Sequence, residues 1–240
     1  MIQLHELPQG YQYEYIPQIA YTGAEAMQRG AGWVICAGQQ EQNFSRLNSP
    51  VQDNGSLLCF SVALPLVCDP KQARSLQNDA GLRARNAIGG KTKIRWLNDV
   101  VIGEKQVCYI RCAAKNGVFV CSFIFDMQVI TELAENGEQT DAENILQSVV
   151  SAMAEDAAGY PENTEALLTA YCEHCLMIMK FVDVMYRGVP LYGFCFAIDR
   201  QGGLMVMTQE THTVVFVYSG PASLAKKEPE APDMPPMPHI

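Results

Sequence analysis

Positive charge is scarce in this 240-residue chain: 17 Lys and Arg stand against 26 Asp and Glu, for a formal net charge of -9. A nucleic-acid-binding face needs clustered cations, so this balance argues against non-specific binding to nucleic acid and, more mildly, to anionic membranes. Long apolar runs are missing as well. The longest are about strand length, far short of the roughly 20 residues of a membrane span. Residues 1–10, with His5, Glu6 and Pro8, lack the basic start and apolar run of a secretion signal. A cytoplasmic protein without a nucleic-acid or membrane partner is expected.

Histidine is also sparse, with four in all. Cys172-Glu173-His174-Cys175 resembles half of a metal site, but a structural zinc needs four ligands. No second Cys/His pair stands out, so no metal is expected, and thiols packed on a helix face are the better reading. No Ser-His-Asp or Cys-His constellation presents itself. Cysteine, by contrast, is not lacking. The nine cysteines are odd in number and mostly sit inside apolar runs (Cys36, Cys59, Cys108, Cys121, Cys195), the pattern of reduced thiols packed as small hydrophobes.

The pattern of apolar residues and turns predicts a mixed chain. Strands are expected at 13–19, 33–37 and 56–64, with a helix over 22–29 capped by Thr22. A second helix over 69–87 has Asp69 as its cap and Pro70 in its first turn. Four strands should follow in close order: 92–96, 100–102, 106–113 and 118–130. Turns at Gly103 and at Asn116-Gly117 suggest hairpins. Helices over 141–155 and 163–186 come next. From Leu191 the texture changes to short strands (191–198, 204–208, 213–219), a small β unit and a candidate barrel. Residues 226–240 carry Pro at five positions (229, 232, 235, 236 and 238) among Glu and Lys, and are read as a disordered tail.

The most specific segment is Lys93-Ile94-Arg95-Trp96-Leu97-Asn98-Asp99, followed by Val100 to Ile102, Gly103-Glu104-Lys105 and Gln106-Val107-Cys108. It resembles the biotin and lipoate protein ligases. Their signature is a basic residue, Trp-Pro-Asn-Asp, a short strand, a turn, a Lys and Gly-Ile-Leu. Arg95, Trp96, Asn98 and Asp99 match, and Leu97 replaces the Pro. Asn48-Ser49-Pro50 with the strand Gly55 to Ser61 is similar to another stretch of that family. Gly193 to Asp199, Gly203 to Val206 and Tyr218-Ser219-Gly220 look like its C-terminal barrel. The likeness runs from about Tyr13 to about Ser223. It implies an α+β fold: a mixed sheet with flanking helices, as in class II aminoacyl-tRNA synthetases and biotin ligases, then a small β-barrel. The implied domains are a ligase-like domain at 1–187, the barrel at 188–224 and a tail at 225–240. The N-terminal DNA-binding domain of some relatives has no room here.

The resemblance implies ATP-dependent attachment of biotin, or a lipoate-like acid, to a lysine on a carrier protein, with ATP and Mg as co-reactants. A homodimer is left open. Such chemistry needs cations and backbone N–H groups around a phosphate. The family supplies them with a Gly-Arg-Gly-Arg loop and with the Lys after the signature. Here the loop region, Gly38 to Arg46, keeps only Arg46 as a cation. Gln106 stands at the Lys position, with Lys105 next to it, and neighbouring strand residues point to opposite faces. Tyr109-Ile110-Arg111 replaces Gly-Ile-Leu, setting a bulky ring where the ligand tail passes. Only Thr22 survives of a Ser-Thr-Asn motif.

Candidate catalytic residues are therefore Gln106 and Lys105. Candidate ligand- or nucleotide-binding residues are Thr22, Gln40, Arg46, Arg95, Trp96, Asn98 and Asp99. Three functions compete: a ligase with impaired chemistry, a binding module that keeps the fold without catalysis, and an acyltransferase that takes a pre-activated donor. The last would need a nucleophilic thiol, with Cys108 or Cys112 as candidates.

Overall fold

The computed structural model describes residues 2–43, 51, 55–66, 68–69, 72–133 and 141–225. Arg46 and the tail at 226–240 lie outside them.

Two sheets and five helices make up the described chain. The first sheet has seven strands in the order β1-β2-β3-β7-β6-β5-β4. β1 (Gln12–Ile19) runs parallel to β2 (Trp33–Gln40), and helix α1 (Thr22–Arg29) makes the crossover. All other neighbours are antiparallel: β3 (Leu57–Pro65), β7 (Val118–Asp126), β6 (Lys105–Lys115), β5 (Asp99–Ile102) and β4 (Lys93–Arg95). The second sheet is fully antiparallel, in the order β11-β10-β9-β8-β12. Its strands are β8 (Lys180–Tyr186), β9 (Val189–Ile198), β10 (Leu204–Thr208), β11 (Val214–Val217) and β12 (Ala222–Leu224).

Alternation along the central strands sorts the two faces of the first sheet. Leu58, Phe60 and Val62 of β3 and Cys121, Phe123 and Phe125 of β7 point into the main core. There Phe60, Phe123 and Phe125 stack with centroids 5.0–6.2 Å apart. Helices α2 (Ser75–Ile88) and α4 (Ala142–Ala158) cover this face through Leu76, Ala80, Leu146 and Met153. Cys59, Ser61 and Ala63, with Val120, Ser122 and Ile124, point the other way, and α1 covers part of that face.

A second core joins the sheets. Ile94 and Trp96 pack with Tyr171 of α5 (Thr164–His174) and with Val182, Val184, Cys195, Leu204 and Val206 of the second sheet. All nine cysteines carry free thiols.

Several expectations need correction. The helix expected over 163–186 stops at His174, and 180–186 is β8. Buried Val182 and Val184 flank exposed Asp183, the period of two that marks a strand. The turn after β8 has positive φ at both Arg187 and Gly188, the geometry a two-residue hairpin requires. The second sheet thus begins before Gly188. The strand expected over 118–130 ends at Asp126, whose carboxylate accepts from Val129 N and starts helix α3 (Met127–Leu133). The helix expected over 69–87 begins only at Ser75, after one turn of 3-10 helix at Gln72–Arg74. The hairpin at Asn116-Gly117 has the positive φ values its sequence implies.

Candidate ligand-binding face

The polar chemistry gathers on the face of the first sheet that α1 only partly covers. Gly23 lets α1 come close: a Cβ there would run into Ser122 Oγ and the Tyr21 ring. Thr22 caps nothing with its side chain. The N-cap residue of α1 is Tyr21, without a side-chain cap hydrogen bond. Instead Thr22 opens a buried polar chain. Thr22 N and Thr22 Oγ1 each donate to Gln40 Oε1 at 2.8 Å. Thr22 Oγ1 also lies 2.8 Å from Ser61 Oγ, which donates to Ser122 Oγ at 2.8 Å. The Gln40 amide nitrogen donates to Asn43 Oδ1 at 3.0 Å and to the Gln42 carbonyl at 3.2 Å. Thr22, Gln40, Asn43, Ser61 and Ser122 are all buried. Every polar group here has a protein partner, as buried polar groups require.

The second part of the face is set by a β-bulge. Val100 pairs with Cys108 but Val101 pairs with Gln106, so Val107 is the extra residue. Val107 and Cys108 both enter the main core. The bulge re-aims the residue before it, and Gln106 emerges on the same face as Tyr109 and Arg111. Arg95 donates to Gln106 Oε1 at 2.8 Å, and Gln106 Nε2 donates to the Cys108 carbonyl at 3.3 Å. Arg95 also lies 3.7 Å from an Asp99 carboxylate oxygen. Lys105 is exposed at the start of β6.

Between these two parts stand Tyr109 and Arg111. Tyr109 packs against Ala37, Cys59 and Ile124. Burial pushes its hydroxyl pKa up, aided by Asp126 and Asp99 and opposed by Arg95. The Arg111 guanidinium lies over the Tyr21 ring, 5.8 Å from its centroid. Burial raises the Tyr21 pKa against the opposing effects of Ser122 and Arg111.

Arg95, Asp99 and Gln106 are therefore brought together, and so are Thr22 and Gln40. Trp96 and Asn98 go elsewhere. Trp96 is fully buried in the core between the sheets, and its Nε1 donates to the Gly202 carbonyl at 2.9 Å. The Trp96–Leu97 peptide is cis. Tyr171 donates to the Leu97 carbonyl at 2.7 Å. Asn98 is buried, with Nδ2 3.8 Å from Cys112 Sγ. Cys108 is fully buried on the core side, where burial drives its thiol pKa well up. Sequence reasoning missed Asn43, Ser61, Ser122, Tyr21 and the placing of Arg111. Serines at equivalent positions of two neighbouring apolar strands were the available signal. Among the described residues, no group of three or more His, Cys, Asp or Glu could hold a metal ion.

No protein-family model and no curated protein matches the sequence. Solved structures do match over nearly the whole chain. Biotin protein ligase from Aquifex aeolicus in complex with biotin and ATP superposes with a TM-score of 0.69 at 18% identity, covering 90% of this chain and 99% of that one. The fold is that of the biotin protein ligases. A biotin protein ligase-like protein of unknown function from Silicibacter shares this ligase fold, with a TM-score of 0.67 at 13% identity over 88% of this chain and 96% of that one. The Helicobacter pylori biotin acetyl coenzyme A carboxylase synthetase, with bound biotinylated ATP, gives a TM-score of 0.58 at 14% identity, covering 86% and 99%. Among the described residues no helix is long and apolar enough to cross a membrane.

Proposed function

We propose that this chain is a biotin-protein-ligase-like protein that binds a small carboxylic acid on the face bearing Gln40, Gln106 and Arg111. In this reading it has lost most or all of the ATP-dependent transfer of biotin, or a lipoate-like acid, to a carrier-protein lysine. The observation that carries the reading is Gln106. It stands where the ligase signature puts its lysine, is uncharged, and is held to Arg95 at 2.8 Å. Stabilising a developing phosphate charge needs preorganised cations and N–H donors, and removal of one such donor typically costs about 2.7–4 kcal/mol. With Gln106 in place of that lysine the face lacks one such cation, and no adenylation step is assigned to it. The alternative acyltransferase reading is weaker. Cys108 faces the core behind the sheet and its thiolate is strongly disfavoured, and the Cys112 thiol is engaged with Cys121 Sγ at 3.5 Å and Asn98 Nδ2 at 3.8 Å, whereas a nucleophilic cysteine needs an exposed, lowered-pKa setting.

The test is transfer of labelled biotin or lipoate to a biotinyl or lipoyl carrier domain, with ATP and Mg present. The expected result is turnover no better than the background without protein. Robust ATP-dependent labelling of the carrier lysine would overturn the impaired reading and restore a working ligase. Carrier-protein contact and self-association are open to the same assay, run with pull-down and sizing of the full chain.

A further inference from the structure

We infer that Arg111 is a specificity residue and that the acid taken by this face carries a second anionic group rather than a neutral ring. This rests on the proposed reading that the face binds a small acid, and it names the class of that acid.

The hydrogen-bond donors on the face are unequally occupied. Gln40 and Thr22 are not. The Gln40 amide oxygen takes two bonds from Thr22 and its nitrogen gives two bonds to Gln42 and Asn43. Ser61 and Ser122 are tied into the same chain. A neutral amide-like or ureido-like group would have to break this buried network to be read by it, and each bond broken without replacement leaves a costly buried orphan.

Arg111 differs. Among the described residues its guanidinium has no hydrogen bond and no ion pair, only the face of the Tyr21 ring. Stacking on a ring leaves the edge N–H donors of a guanidinium free, and those donors match a carboxylate with two parallel bonds. The Tyr109 hydroxyl also lacks a hydrogen-bond partner among the described residues. At the other end, Arg95 is already shared between Gln106 and Asp99, but a guanidinium has five N–H donors. Gln106 and Arg111 are five residues apart on β6, roughly 15 Å of strand. Tyr109 lies between them and covers the apolar patch of Cys59 and Ile124. A ligand on this face meets a cation at Arg111, then a half-buried aromatic surface, then Arg95, which faces Asp99 and keeps N–H donors to spare. In a chain of net charge -9, two arginines on one sheet face suit an elongated acid with an anion at each end.

The experiment uses the full chain and calorimetric titration with straight-chain dicarboxylates, from hexanedioate to decanedioate. Each is paired with the monocarboxylate of equal length, and biotin is run alongside. The expected result is at least tenfold tighter binding of one or more dicarboxylates than of the matched monocarboxylates or biotin. Arg111→Leu should abolish that preference, and Arg111→Lys should keep part of it. Circular dichroism of both variants separates loss of recognition from loss of fold. Equal binding of both acid types, or a dicarboxylate preference that survives in a folded Arg111→Leu, would overturn the role of Arg111 and leave the acid-binding face standing. Absence of binding by every acid in the series would overturn both.

Discussion

At the scale of single residues, Thr22 is tied into the interior. Its hydroxyl bridges Gln40 and Ser61 inside the protein. Thr22→Val keeps the shape and removes that bridge. Gln40 Oε1 then holds one donor instead of two, and Ser61 loses a neighbour. The expected cost is about 1–3 kcal/mol, the penalty for orphaning buried polar groups. Urea unfolding should show a lower midpoint with an unchanged slope. A Thr22 that served only a ligand would leave the midpoint of the free protein where it is. The sequence marks both Thr22 and Gln40 as candidate ligand-binding residues. It does not mark their bond to each other, because 18 positions separate them and only the parallel pairing of β1 with β2 around α1 brings them side by side.

At the scale of elements, local patterning identified most strands of the first sheet and both tight turns at its heart. It failed where two signals competed. The segment 163–186 carries apolar residues at helical spacing as far as Met179, and the strand that follows is short and ends in Arg187-Gly188, a less familiar hairpin pair than Asn-Gly. The bulge at Val107 was also invisible, since both Val107 and Cys108 suit a core and nothing local marks one as extra. Strict alternation would have turned Gln106 toward that core.

The α2–α4 contact adds a pH response on the same scale. Asp79 of α2 is buried, and Arg83 sits between it and Asp156 of α4, with 3.1 Å to Asp79. Burial, then the Asp156 charge, drives the Asp79 pKa well above the ordinary carboxylate value, against the pull of Arg83. Its protonated form is thus favoured by folding. The stability it contributes is fully present below the unfolded-state value of about 3.9 and is lost as pH rises through the raised folded value. Asp79→Asn, a mimic of the protonated form, should flatten the fall in melting temperature over that window. Parallel pH profiles for the two proteins would assign the response elsewhere.

At the scale of the whole molecule, the signature segment is the joint between the two sheets. Trp96 and Ile94 leave β4 for the core that Tyr171 shares with Val182, Val184 and Cys195. Trp96 bonds to the Gly202 carbonyl of the β9–β10 turn. That turn is held in its own right, because Asp199 Oδ1 accepts from Gln201 N and Gly203 N at 2.9 Å and Asp199 Oδ2 accepts from the Tyr218 hydroxyl. The sheets therefore share an interior instead of touching through a polar interface, and shared interiors unfold together. Trp96 sits in this joint and Trp33 lies on β2 against Arg29, so the two indoles report on different parts of one structure. Tryptophan fluorescence and far-ultraviolet dichroism should give coincident urea transitions. Trp96→Phe keeps a ring but removes the N–H. It should cost about 1–3 kcal/mol and shift both probes by the same amount. Two separated transitions in the wild-type protein would mean that the second sheet unfolds independently. They would also mean that the Arg-Trp-x-Asn-Asp segment shapes only its own turn.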